Sequence, residues 1–210
     1  MLKSESVIGV VEYGMGNINS IVSKLLKNKI NTVVIKTKQD FSSVSKIILP
    51  GVGHFGKGIQ NLKELGLFDV LQYRINEEKI PIFGICLGMQ LFAKHSEEGN
   101  SEGLGFIDGK VKKFNSDNDK GLKIPHVGWN SINKIKTDLI FADVSDSQSF
   151  YFTHSYYLEC NENVVISKTN YIESFVSSIR KDNIVGTQFH PEKSHFGGFQ
   201  LILNFCLQNA

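Results

Sequence analysis

The chain has 210 residues, of which 41% are hydrophobic, and its 23 basic and 21 acidic side chains leave a formal charge of +2. This suits one globular unit with a sizeable core and excludes a disordered chain, while the near-balance of charge argues against nucleic acid or a membrane surface as the main partner. No apolar run approaches the roughly 20 residues that span a bilayer, and the opening Met1-Leu2-Lys3-Ser4-Glu5-Ser6 lacks the apolar region of a secretory leader, so a cytoplasmic protein is expected.

Val7–Val11 reads as a buried strand ended by Gly14-Met15-Gly16. Asn17 to Lys27 follows as an amphipathic helix, with Ile18, Ile21, Val22 and Leu25 near helical spacing. Thr32–Lys36 and Lys46–Leu49 read as strands and Leu67–Glu77 as a helix. Pro81–Ile85 is a strand, and Leu87–Lys94 reads as a helix that starts directly after Cys86. This rhythm predicts an α/β fold, a mostly parallel central sheet flanked by helices on both faces. The second half differs. Lys110–Phe114, Ser131–Lys136, Ser149–His154, Val164–Lys168, Ser174–Arg180 and Asn183–Phe189 are strand-like, and Phe196–Leu207 is a helix. Several of these strands are expected to add antiparallel to the sheet. Lys110–Lys113, with Lys120 and Lys123, is locally basic, but Asp117 and Asp119 interrupt it, and it reads as a solvated edge or loop.

Cys86, Cys160 and Cys206 are too few and too scattered for a disulfide framework, and no His/Cys cluster has zinc spacing. A reducing compartment, no structural metal and no cofactor are expected. Cys86 stands apart because Gly84-Ile85-Cys86-Leu87-Gly88 lies between a strand and a helix. That is a nucleophile elbow with cysteine in place of serine. Its glycines permit a strained turn and close backbone approach. The helix start behind it would favour a thiolate and aim free N–H groups at a developing oxyanion. Cys160 and Cys206 lack this setting and read as structural.

A cysteine nucleophile needs a base. In His190-Pro191-Glu192 the proline biases His190 toward extended backbone. Residues two apart in an extended run share a side, so Glu192 can orient the His190 ring. His195 lacks such a partner. Pro50-Gly51-Val52-Gly53 follows a strand and lies at the same carboxyl edge, where open α/β folds bind ligands; read alone, it is also a plain turn.

Together, Gly-Ile-Cys-Leu-Gly-Met-Gln at 84–90, Pro-Gly-Val-Gly at 50–53 and Gln-Phe-His-Pro-Glu at 188–192 resemble the class I glutamine amidotransferases. Tyr-Gly-Met-Gly-Asn at 13–17, Ser-Glu-Glu-Gly at 96–99, Pro-His-Val-Gly-Trp-Asn at 125–130, Tyr-Phe-Thr-His-Ser-Tyr at 151–156 and Pro-Glu-Lys-Ser at 191–194 narrow the likeness. They are similar to the branch of that family that supplies ammonia to a TIM-barrel cyclase in histidine biosynthesis. The resemblance implies one amidotransferase domain over residues 1–210 and a heterodimer with the cyclase. It implies Cys86 as nucleophile, His190 as base and Glu192 as its orienter. Leu87 and the Gly51–Val52 peptide would donate to the oxyanion, the latter after a flip prompted by the occupied partner. Gly53, Gln90, Glu98, Ser155 and Tyr156 would bind glutamine, with Gln90 and Glu98 on its amino-acid end. Asn17, Trp129, Tyr151 and Lys193 match positions near the partner, although Trp129 and Tyr151 also suit a core and Lys193 a plain surface. The family usually has Asp before the Tyr-Gly-x-Gly-Asn segment, where this chain has Glu12. That departure and the stretch Gly66–Leu71 leave room for another ammonia acceptor, such as a sugar amidotransferase of surface-polysaccharide synthesis. A catalytically inactive regulatory module and a cysteine protease are the readings from other classes. The intact Cys/His/Glu set opposes the first, and Gln90 and Glu98 oppose the second.

Overall fold

The computed structural model describes residues 6–115 and 121–208. The opening Met1–Glu5 and three members of the basic stretch, Asp117, Asp119 and Lys120, lie outside the described residues. The first half runs β1 (Ile8–Val11), α1 (Asn19–Lys27), β2 (Thr32–Ile35), β3 (Lys46–Gly51), α2 (Phe55–Glu64), α3 (Leu67–Asn76), β4 (Ile82–Cys86) and α4 (Leu87–Gln90). Then come β5 (Ala93–Ser96), β6 (Ser101–Glu102), β7 (Ile107–Lys113), β8 (His126–Ser131), β9 (Asn133–Lys134), β10 (Ser149–His154) and β11 (Tyr156–Cys160). The chain closes with β12 (Val165–Asn170), β13 (Ser174–Lys181), β14 (Ile184–Thr187) and α5 (His195–Leu207).

The main sheet has the order β2-β1-β3-β4-β14-β13-β12-β9. Its first five strands are parallel, and β13, β12 and β9 add antiparallel, as expected. Strands β1, β3 and β4 are buried at every position, because helices cover both faces. Alternation within each strand sends residues to opposite cores. Ile47 and Leu49 join Ile59, Leu62, Leu71 and Ile75 of α2 and α3. Ile48, Phe83 and Ile85 join Ile21 and Leu25 of α1 and Ile202 and Phe205 of α5. Two small sheets, β10-β8 and β11-β7-β5-β6, flank the main one. Lys110–Lys113 lies on β7, with Lys110 and Lys112 bridged to Glu159, so it is a solvated sheet rather than a loop. Among the described residues, no helix is long and apolar enough to cross a membrane.

Three local expectations are corrected. The helix at Leu87–Lys94 stops at Gln90. Leu91 N still bonds Leu87 O at 2.8 Å, but Phe92 O accepts from Ile107 N at 2.9 Å and the chain leaves as β5. The buried run Leu91-Phe92-Ala93 suits either state, and pairing with β7 decides. Helix α2 is additional. Its core contacts Phe55, Ile59 and Leu62 have helical spacing, but Gly56 and Gly58 weaken the signal in sequence. The strand expected at Ser131–Lys136 is instead the end of β8 and the short β9, and β11 is a further strand.

Asn204 locks α5 to the segment before β10. Its buried Nδ2 donates to Ile140 O at 2.9 Å and Ala142 O at 2.7 Å. Asn204→Leu leaves both carbonyls without that donor, so stability should fall by about 1–3 kcal/mol. A urea midpoint that drops at constant m-value is the expected reading, and an unmoved midpoint would refute this role.

Candidate active site

Strand β4 delivers Cys86 to the carboxyl edge of the sheet, and α4 starts at the next residue. Cys86 sits at φ +53, ψ −110, a conformation L residues rarely adopt. The flanking glycines have steric reasons. A Cβ on Gly84 would lie 2.6 Å from the Phe92 ring, and one on Gly88 would overlap the Leu49 carbonyl oxygen. The α4 turn can therefore pack directly onto β3 and β4. It is a single turn, so local N–H groups matter here rather than a long helix dipole.

Gly51 ends β3 in register with Cys86. A side chain there would strike the Tyr13 hydroxyl and stand 2.9 Å from Leu87 Cβ. Gly16, at φ +109, abuts the same loop, since a Cβ on it would lie 3.4 Å from the Val52 nitrogen. Val52 itself is 42% exposed, and Gly53 follows at φ +119.

His190 follows β14, the neighbour of β4, and has the extended backbone that Pro191 imposes (φ −97, ψ 92). Glu192 reaches it by a different route from the one expected. Pro191–Lys193 is a 3-10 turn rather than an extended run, and the turn folds the carboxylate back to His190 Nδ1 at 2.8 Å. Both side chains are buried. Ser194 Oγ fixes the turn, donating to His190 O at 2.6 Å and accepting from Tyr151 N at 2.9 Å, and Lys24 Nζ donates to Glu192 O. Burial opposes charging the His190 ring, but the Cys86 sulfur and the Glu192 carboxylate outweigh it and hold the pKa up to about 10. His190 Nε2 has no hydrogen-bond partner among the described residues, which leaves it free for the sulfur or a substrate.

A cavity of about 240 Å³ opens beside Cys86. Its lining brings together Gly53, Gln90, Glu98, Ser155 and Tyr156 with Leu87 and Val52. Gln90 is partly committed to the frame, because its Nε2 donates to Tyr156 O at 2.8 Å and Gln188 Oε1 at 3.0 Å. Glu98 Oε2 accepts from Phe55 N at 2.7 Å, which steadies it over the start of α2. A larger hollow of about 500 Å³ lies at the opposite edge of the sheet, but its Lys46 is bonded to the last carbonyls of α5 and its Arg180 to Asp138. No cysteine or histidine is among its lining residues. Among the described residues, no group of three His, Cys, Asp or Glu side chains could hold a metal ion.

Asn17, Trp129, Tyr151 and Lys193 gather on the outer side of the same edge. Trp129 is 46% exposed, stacks on His195 at 4.5 Å and meets Tyr151 edge-on at 6.0 Å, so it is a surface aromatic rather than a core one. Lys193 Nζ lies 5.9 Å from the Tyr151 ring centre. Asn17 Oδ1 accepts from Asn19 N at 3.0 Å at the start of α1. A small cleft lined by Asn17, Val52, His190, Glu192 and Lys193 opens at this face and shares Val52 with the cavity beside Cys86. Glu12 pairs with Lys36 at 3.1 Å beside β1 and takes no part in the site.

Three further neighbours of this site give little signal in the sequence. Gln188 Nε2 lies 3.6 Å from Cys86 Sγ, and the only hint was its place two residues before His190. Tyr13 buries its hydroxyl beside Gly51 with no partner among the described residues. His154 lines the cavity but is a frame residue. Burial pushes its pKa down to about 3 and that of His126 to about 4, and their rings bond at 3.3 Å. Cys206 is buried and Cys160 half-buried, and burial pushes both thiols up to about 12.

The profile of the family described as glutamine amidotransferase class-I matches residues 9–208. Imidazole glycerol phosphate synthase subunit HisH of Leptospira interrogans is 44% identical over 202 residues, covering 95% of this chain and 99% of its own. Subunit HisH 2 of the same synthase from Methanococcus maripaludis is 44% identical over 208 residues, covering 96% and 100%. A crystal structure of a glutamine amidotransferase superposes with a TM-score of 0.70 at 19% identity, over 95% of this chain and 99% of that one.

Proposed function

The chain belongs to the class I glutamine amidotransferases, and from that premise we propose that it is the glutaminase subunit of an imidazole glycerol phosphate synthase. It hydrolyses glutamine to glutamate and ammonia and works with a partner synthase. The observation that carries this reading is the meeting of Cys86, the His190–Glu192 pair and a cavity suited to a free amino acid at one sheet edge.

The Cys86 thiolate attacks the glutamine carboxamide carbon. The oxyanion takes hydrogen bonds from the Leu87 amide and the Gly51–Val52 peptide. Protonated His190 gives its proton to the departing nitrogen, which leaves as ammonia, and a glutamyl thioester remains on Cys86. His190 then takes a proton from water, the hydroxyl oxygen adds to the thioester, and glutamate leaves as the thiolate returns. Glu192 holds the ring in one tautomer throughout.

Glu98 matches the ammonium of the substrate, and Gln90, Gly53, Ser155 and Tyr156 complete its polar surroundings. These contacts exist in ground and transition states alike. Glu98→Ala should therefore raise the glutamine KM about tenfold with a smaller change in kcat, and Gln90→Ala, which also releases the Gln188 side chain, should raise KM and lower kcat together. Glutamate release by the purified chain measures this, and a large fall in kcat at unchanged KM would place these residues elsewhere. The partner is a TIM-barrel cyclase docked as a heterodimer on the face of Asn17, Trp129, Tyr151 and Lys193. It joins the ammonia to a phosphoribosyl aminoimidazole precursor, giving imidazole glycerol phosphate and an aminoimidazole carboxamide nucleotide. Glutamate release with and without this cyclase tests the pairing, and activation by a sugar amidotransferase instead would reassign the acceptor.

A further inference from the structure

Gln188 is fully buried, and the reaction scheme leaves it without a task. Its carboxamide has one orientation consistent with its neighbours. The Tyr156 carbonyl can only accept, so the Gln90 group 2.8 Å from it is the amino group. That same nitrogen lies 3.0 Å from the Gln188 carboxamide, which must therefore present its oxygen. The Gln188 amino group then points the other way, and what it meets at 3.6 Å is Cys86 Sγ. The Tyr156 oxygen that anchors this chain also receives His154 Nδ1 at 2.8 Å, so it is held from a second side.

We propose that Gln188 is a further catalytic residue, whose carboxamide N–H donates to the Cys86 sulfur and stabilises it as a thiolate before glutamine arrives. The proposal rests on the reading of Cys86 as the nucleophile. As a thiol, Cys86 faces the Thr153 carbonyl at a long 4.0 Å, with the His190 ring on its other side. As a thiolate it would repel that oxygen and gain the Gln188 donor. In a buried site such a bond acts with little screening. Gln90 then has a second duty as a positioning residue, because its amino group sets which end of Gln188 faces the sulfur.

The test is the pH dependence of iodoacetamide alkylation at Cys86 in the full chain, mapped by mass spectrometry for the parent, Gln188→Met and Gln188→Glu. Methionine keeps the length and removes the donor, so the alkylation midpoint should rise by about one pH unit, roughly tenfold less thiolate near neutral pH. Glutamate keeps an acceptor for Gln90 but sets a carboxylate against the sulfur, so its midpoint should rise further. Both variants should lose kcat more than they change KM. A purely structural Gln188 would lower thermal stability and leave the midpoint in place. An unmoved midpoint in either folded variant overturns the proposal. The nucleophile reading fails separately, if alkylation of Cys86 in the parent leaves glutamine hydrolysis intact.

Discussion

Cys86→Ser should lower glutamine hydrolysis by roughly 10,000-fold or more, the scale seen when a nucleophile is removed from a triad. The substitution is nearly isosteric, and position 86 is buried, so the fold and partner docking should persist. What is lost is the anion. A serine hydroxyl stays protonated beside His190, whereas a thiol is acidic enough to give its proton to the ring, which the sulfur and Glu192 hold charged against the opposing effect of burial. The same logic predicts where a glutamine-analogue electrophile goes. It should label Cys86 and spare Cys160 and Cys206, whose thiols burial holds in the neutral form. Peptide mapping after labelling, with glutamate release on the serine variant, decides the matter. Retained activity, or labelling of Cys160, would end the triad assignment.

The second large effect concerns the partner. Alone, the chain should hydrolyse glutamine weakly, and docking of the cyclase with its acceptor substrate bound should raise kcat by roughly 100- to 1,000-fold, the usual worth of one oxyanion donor. The gain turns on Val52. The residue is exposed, lies between Gly51 and Gly53, and lies close to Gly16 on the side of the cleft lined by Lys193 and Asn17. Glycine on either side gives this peptide the backbone freedom to turn, and only one orientation aims its N–H at the oxyanion. A partner that favours that orientation raises kcat and leaves KM nearly alone, because the donor is needed in the transition state. Lys193→Ala, next to Glu192, should reduce the gain on docking more than the basal rate. Steady-state glutamate release reads both. Full activity without any partner would refute the gating.

The elbow was legible because sterics leave few choices. Gly84 and Gly88 each sit where a Cβ would collide, so a strand–Gly-x-Cys-x-Gly–helix pattern has few other structural meanings. The His190–Glu192 pair was legible for a partly mistaken reason. Spacing of two brought the groups together through a 3-10 turn, because Pro191 starts one readily once His190 is extended. The helix after Cys86 was overrun, since Leu91 and Phe92 are apolar in either state and only β7, a dozen or more residues later, decides between them. Helix α2 was hidden by its own glycines. Gln188 was invisible as a functional group, because a carboxamide carries no charge to read and its meaning lies in Gln90 and Tyr156, which approach from elsewhere in the chain.

The backbone at Cys86 has a consequence for how the chain evolves. Its positive φ opposes folding for any residue with a Cβ, whatever chemistry the side chain performs. Glycine would occupy the position at ease, so Cys86→Gly ought to yield a more stable and wholly inactive molecule. Copies released from selection for ammonia production can therefore drift toward glycine with no opposition from the fold. In a duplicated gene of this kind, glycine at the elbow would be the expected mark of retirement from catalysis.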